Sequence, residues 1–250
     1  MANSSSGESV IERFLRVLEA FDFGHRTLNL SQIAVRASLP LSTAHRLTAE
    51  MVKVGALNRS ATGAYEVGAR MWELSSRSSE IQRLREAALP AMLDVQRVVR
   101  QHTNLAIRED DQVLYLERLS APSATPSIAM TASRLPLGLT SSGLVLLAFG
   151  SRADADAYLS QERGSGTPGS RLVAEVLVER VRDVRRDGYC ITDGYRVSSS
   201  IGVAVPVLYN GGRALAALNV IVPSAAGHPQ NIVPTLLQAA QRISEALGSQ

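Results

Sequence analysis

From Ser9 onward the apolar residues Val10, Phe14, Val17, Leu18 and Phe21 recur at i, i+3, i+4 spacing, the period of one buried helix face, and Gly24 stops the pattern. Positions 31–37 predict a second, shorter helix with Ser31 as its N-cap and Ile33, Ala34 and Ala37 facing inward. Ser38-Leu39-Pro40 forms a tight break. A third helix follows over 42–54, and Gly55 supplies the residue that usually ends one. Leu57-Asn58-Arg59 and Tyr65-Glu66-Val67 then flank a turn containing Thr62-Gly63, which reads as a short hairpin. Helix, helix, turn, helix and two-stranded wing, in that order, is the plan of a winged helix-turn-helix.

The third helix separates cleanly at 100° per residue. Ala44, Leu47, Thr48, Met51 and Val54 form a core stripe. Ser42, Arg46, Ala49 and Lys53 lie opposite, flanked by Thr43, His45 and Glu50. An ordinary amphipathic surface helix shows the same division. The context of turn and wing points instead to a helix that enters a DNA groove. There Ser42 and Thr43 can meet phosphate, Arg46 can bond O6 and N7 of guanine, and Lys53 suits a phosphate. Glu50 fits a polyanion poorly unless it accepts from cytosine N4. Arg59 at the base of the wing, and Arg13 and Arg16 on the first helix, are further backbone contacts or plain surface charges.

Beyond residue 68 the pattern changes. Helices are expected over 69–81 and 83–100, with Pro90 marking a break or kink in the second. Strands are expected at 103–108 and 112–118 about Asp110-Asp111, and another at 127–131 after a Pro/Ser/Thr-rich loop. Helices fit 142–148, 152–161 and 171–186, with a flexible loop at 162–170. Strands at 202–209 and 214–222 join through Asn210-Gly211-Gly212, and a last amphipathic helix fits 229–247. Hairpins mixed with helices make the class α+β with an antiparallel sheet. The division is a DNA-binding domain at 9–68, a linker helix at 69–82 and a second domain at 83–250, with the first eight residues disordered.

Composition narrows the function classes. A chain of 250 residues with 45% hydrophobic and 20% charged residues suits a globular protein of one or two cores. The net charge of +3 is too mild to identify a nucleic-acid partner by itself. Lys53 is the only lysine, so arginine carries nearly all the positive charge. Cys190 is the only cysteine, which excludes an internal disulfide and fits a reducing compartment. With no apolar leader and no membrane-length run, the expected location is the cytoplasm.

In the second domain Thr140-Ser141-Ser142-Gly143 opens an apolar helix. Free N–H groups, hydroxyls and a glycine make this a carboxylate site, or else Ser141 or Ser142 is only an N-cap. Asn219 interrupts an otherwise apolar strand and needs a partner, either backbone or ligand. Leu135, Leu137 and Leu139 can supply apolar walls. An enzyme would have to use Cys190 as nucleophile with His102 or His228 as base, but no nucleophile motif supports it. No phosphate-binding glycine loop and no metal-ligand spacing occurs, so neither cofactor nor metal is expected. A sensor acting only through protein partners is the other alternative.

The runs SLPLSTAHRL, GALNRSATGAYEVGARMWEL, RLPLGLTSSGLVLLA and GVAVPVLYNGGRALAALNV, in this order, resemble the IclR family of bacterial transcription regulators over about residues 9–247. Residues 134–148 and 202–222 are most similar to the branch that regulates aromatic-compound catabolism. The resemblance implies a winged helix-turn-helix, a linker helix and a GAF-like effector-binding domain. It also implies operator DNA as partner, a small organic or aromatic acid as effector, and a dimer or dimer of dimers. On it, the effector site would draw on Arg134, Leu139, Ser141, Ser142, Gly143, Thr192, Asp193, Gly202 and Asn219. Asp193 would repel an acid unless it points away or pairs with Arg134 or Arg196. The chain departs from the pattern at Ser38, where glycine is usual, and at Leu41, which is often polar. It departs again at Gly202, where Ser or Cys is common, and at Ser141-Ser142.

Overall fold

The computed structural model describes residues 8–77, 80–160, 174–194, 197–209, 212–225 and 227–248. The expected disorder of the first residues, the loop at 162–170, the Asn210-Gly211 turn and a role for Arg196 therefore lie outside the described residues, apart from Glu8. The chain divides into two compact units, residues 1–79 and 80–250.

The first unit opens with helix α1 (Val10–Glu19). Ser9 and Glu12 close a capping box, the Ser9 hydroxyl accepting from the Glu12 N–H and the Glu12 carboxylate accepting from the Ser9 N–H. Helix α2 (Leu30–Arg36) is capped the same way, but by Asn29 and Gln32 rather than by the expected Ser31, which sits inside the helix. Helix α3 (Leu41–Lys53) follows.

Two backbone turns set the angle and end of α3, and they are built alike. After α2 the Leu39 N–H reaches the Ala34 carbonyl and the Ser38 N–H reaches Val35. After α3 the Ala56 N–H reaches Met51 and the Gly55 N–H reaches Val52. Both are Schellman closures, which need a left-handed residue at the pivot. Gly55 fills that place at φ +76°, while Ser38 fills it at φ +51°. Arg16 adds support from α1, its guanidinium donating to the carbonyls of Ala37 and Ser38.

Strands β1 (Leu57–Arg59) and β2 (Tyr65–Val67) form the antiparallel wing. Leu28 pairs with Tyr65 on the outer side of β2. Val17, Leu28, Ile33, Ala44, Leu47, Met51, Leu57 and Tyr65 make the core of the unit. Val54 is not part of that core; it is 56% exposed because the Schellman turn has already swung the chain away. Helix α4 (Ala69–Ser76) ends the unit.

The second unit begins with α5 (Glu80–Val99). Pro90 does not interrupt it: the residue is on the exposed side, where water can satisfy the carbonyl its missing N–H leaves free. The sheet comprises β3 (His102–Glu109), β4 (Gln112–Leu119), β5 (Arg134–Pro136), β6 (Cys190–Asp193), β7 (Ser200–Tyr209) and β8 (Arg213–Pro223). Their order is β5-β4-β3-β8-β7-β6, and every neighbouring pair is antiparallel. The edge strands have 3 and 4 residues against 10 and 11 for β7 and β8. The expected strand at 127–131 is absent; those residues run as irregular chain, and the edge strand lies a few residues later. Strand β6 has no counterpart among the expected elements.

Helices α6 (Ser141–Phe149), α7 (Arg152–Leu159), α8 (Ala174–Asp187) and α9 (Val233–Gly248) complete the unit. Alternation along the strands sorts residues by size. Leu105, Val203, Val205, Leu218, Val220 and Val222 pack on α5 and α9. The opposite face, toward α6 and α8, carries Ala106, Ala204 and Ala217. Small side chains there let α6 lie close to the sheet.

Candidate functional site

The outward face of α3 is the first site. Ser42, His45 and Arg46 are exposed and Thr43 is half-buried, while Ala44, Leu47, Thr48 and Met51 bury the other side. Among the described residues no hydrogen bond or ion pair engages the side chains of Ser42, Thr43, His45 or Arg46. The N-cap is Pro40, and no side chain caps the helix. The first-turn N–H groups and the positive end of the helix dipole are thus open to an anion. Lys53 is committed to Glu50 at 2.6 Å, which neutralises the acid that looked out of place. Arg59 lies over the Tyr65 ring, 5.4 Å from its centroid, so the wing presents an oriented guanidinium. Arg16 is occupied by the Ala37 and Ser38 carbonyls and by Glu8, and it serves the turn. Leu41 is exposed.

The second site is a narrow cavity of about 30 Å³ beyond the first turn of α6. Of the expected residues, Ser141, Thr192, Asp193, Gly202 and Asn219 line it, as does Leu135. Tyr115, Ser127, Ile128, Ala129 and Ser200 line it too and were missed. Tyr115 was legible as an inward position of an expected strand. The wall from 127 to 129 was not legible, because it makes no ladder.

Thr140 is the N-cap of α6, its hydroxyl accepting from the Gly143 N–H at 3.0 Å. Ser141 and Ser142 therefore spend no hydroxyl on capping, and among the described residues their N–H groups have no protein acceptor. The Ser142 hydroxyl is fully buried without a partner at hydrogen-bonding geometry. Burial pushes the Tyr115 phenol up to about 12, against a smaller opposing pull from the Ser142 and Thr140 hydroxyls. The phenol is thus a neutral donor or acceptor in the wall.

Two glycines act by what they leave out. A Cβ on Gly143 would fall 2.0 Å from the Leu137 carbonyl oxygen, so this residue seats α6 on the preceding turn and does not line the cavity. A Cβ on Gly202 would fall 2.5 Å from the Ser141 hydroxyl, so this residue keeps that hydroxyl in place. Two other expected residues stand away from the cavity. Arg134 is exposed on β5, 3.9 Å from Glu109, and Leu139 is half-buried outside the lining. Leu137 is wholly in the core. Asp193 is exposed and has no ion pair among the described residues.

The chain from Ser120 to the cavity wall at 127–129 is tied down by buried and half-buried contacts. His102 meets the Thr125 carbonyl at 2.6 Å and the Ser120 hydroxyl at 2.9 Å. Arg118 donates to the Ala129 carbonyl at 2.6 Å. Burial, then the Arg118 charge, holds the His102 pKa below its ordinary value, which favours the neutral imidazole. Cys190 is buried and its thiol is pushed up to about 12 by that burial. Among the described residues it has no hydrogen bond to His102 or His228, and no acid, Cys and His cluster suits a metal. No helix among the described residues is long and apolar enough to cross a membrane.

Known proteins resemble this chain over most of its length. The IclR helix-turn-helix model matches residues 10–61, and the model of the bacterial transcriptional regulator IclR C-terminal domain matches residues 77–245. The crystal structure of an IclR homolog complexed with 4-hydroxybenzoate, from Microbacterium hydrocarbonoxydans, is 39% identical with a TM-score of 0.89 and covers 97% of this chain and 100% of that one. The Pca regulon regulatory protein of Pseudomonas putida is 26% identical over 95% of this chain and 83% of its own length. The HTH-type transcriptional regulator XynR of Escherichia coli is 26% identical over 95% and 96%. An amphipathic third helix with an open outward face, a narrow cavity at a helix end and both matches in sequence order make one conclusion: this chain belongs to the IclR family of bacterial transcriptional regulators.

Proposed function

We infer that α3 enters the major groove of an operator and that the cavity beside α6 binds a small aromatic acid which alters operator affinity. The observation that carries the DNA reading is the outward face of α3, where Ser42, Thr43, His45 and Arg46 are unpartnered beside an uncapped helix end. Arg46 is the base-reading residue, Ser42 and Thr43 meet phosphate, and Arg59 contacts the backbone from the wing. Lys53, already paired with Glu50, contributes less. The chain works as a homo-oligomer, so that two such helices meet two half-sites.

The effector's carboxylate is received at the first turn of α6, by the N–H groups of Ser141 and Ser142 and the Ser141 hydroxyl. Tyr115, Ile128, Leu135 and Ile221 supply the apolar walls. Asp193 opposes an acid only weakly, because it is exposed and screened. A cavity of about 30 Å³ is smaller than such a ligand, since a benzene-binding cavity in an engineered protein measures roughly 150 Å³. Binding therefore selects a conformation in which the wall from 127 to 129 stands further out. The effector shifts operator affinity by its preference for that state and by no more.

Fluorescence anisotropy with labelled DNA from upstream of the gene tests both halves. Binding is expected to weaken with salt and to fall about 5- to 150-fold in Arg46→Ala, the range of one bidentate guanine contact. Addition of 4-hydroxybenzoate is expected to shift the curve. Salt-independent binding, or an Arg46→Ala variant equal to the parent, refutes the DNA reading. A ligand that binds without shifting the curve refutes the coupling.

A further inference from the structure

Two buried amides lie side by side on the cavity face of the sheet, and Asn219 is the one that lines the cavity. Asn104 on β3 and Asn219 on β8 are opposite one another in the strand register, at 0% and 1% exposure. The Asn104 Nδ2–H donates to Asn219 Oδ1 at 3.0 Å. That single bond leaves two atoms unmet, Asn104 Oδ1 and Asn219 Nδ2. Asn219 lines the cavity with Tyr115 and Ile221, and β3 runs between the strands that carry Tyr115 and Asn219. On its other side Asn219 pairs with Ala204, which has no polar side chain to offer it.

Apolar residues of similar size would fill these positions without unmet groups, so the pair is an expensive way to build a core. The spare atoms are one acceptor and one donor. Exchanging O and N in both amides together preserves that count. The complement is a group that donates and accepts at once. A carboxylate only accepts, and would leave a carbonyl oxygen facing its lone pairs; a hydroxyl satisfies both.

We propose that Asn104 and Asn219 act as one recognition unit that selects an effector carrying a hydroxyl in addition to its carboxylate, a hydroxy-substituted aromatic acid. The inference rests on the aromatic-acid reading of the cavity. The carboxylate goes to the α6 end, and the hydroxyl accepts from Asn219 Nδ2 and donates to Asn104 Oδ1. Asn104 sets specificity although no lining position in the sequence marks it.

Calorimetric titration of the full chain with 4-hydroxybenzoate, 4-fluorobenzoate and benzoate tests this. Fluorine is close in size to a hydroxyl but cannot donate. The parent is expected to bind the hydroxy acid at least about tenfold more tightly than the fluoro acid. Asn104→Val, folded by thermal unfolding, is expected to bring the two within about threefold while benzoate affinity is kept. If that variant does not fold, the parent ratio and the ratio in Asn219→Ser decide. Equal affinity for the hydroxy and fluoro acids in the parent overturns the proposal, assigns the pair to a bound water and leaves the aromatic-acid reading standing. Binding of none of the three overturns both.

Discussion

Replacing Ser38 by glycine should stabilise the first unit. Ser38 is held at φ +51° by the Schellman bonds after α2, in a region where a side chain costs about 1–2 kcal/mol. Its side chain is exposed and makes no hydrogen bond among the described residues, so its removal loses no contact. Glycine gives back about 0.5–1 kcal/mol through the freedom it adds to the unfolded chain. The net gain is about 0.5–1 kcal/mol. For a unit of this size that raises its melting temperature by about 2–8 °C. Differential scanning calorimetry is the assay, because it separates the transition of this unit from that of the other. Gly55→Ala is the mirror experiment: φ is +76° and the new Cβ would meet Arg70 Cδ at 3.3 Å, so it should lose about 1–2 kcal/mol. A Ser38→Gly variant that melts no higher, with Gly55→Ala no lower, would refute the claim that these pivots store strain.

Alkaline pH should destabilise the second unit. Burial holds both the Cys190 thiol and the Tyr115 phenol protonated to about 12 in the folded chain, so the unfolded chain releases those protons first and stability falls between about pH 9 and 12. Denaturant melts at stepped pH check this, and a constant midpoint to pH 11 refutes it. For the same reason a disulfide reagent at pH 8 should label Cys190 only at the rate of unfolding; prompt labelling of the native chain contradicts the burial. Gly202→Ala places a Cβ 2.5 Å from the Ser141 hydroxyl and should lower effector affinity by about tenfold in calorimetry. Unchanged affinity removes Ser141 from the site.

What the sequence discloses here depends on the range of the interaction. The stripe on α3 is a local period, and Ala44, Leu47, Thr48 and Met51 follow from it. Val54 breaks the rule because a backbone turn, not periodicity, fixes its place. The need of Asn219 for a partner could be stated from its apolar surroundings, but the partner, Asn104, lies 115 residues away and appears only when β3 pairs with β8. Arg16 reads as a surface charge because its acceptors lie 21 and 22 residues on. The resemblance places Arg134 at the effector site, whereas its side chain is exposed on the edge strand, whose next residue, Leu135, is the one that lines the cavity. Irregular chain such as 127–129 acquires a role only through the walls it touches.

The lengths of the strands carry a last implication for assembly. A sheet whose inner members run to 10 and 11 residues ends on one of 3 and one of 4. Such brief margins offer few unpaired amides to a neighbour, which blunts fibre-like stacking in a crowded cell. Any association between copies of this chain is then expected to use helical or loop surfaces and not to extend one sheet into the next. Aggregation under stress should begin in the partly unfolded state, where the long inner strands come into view.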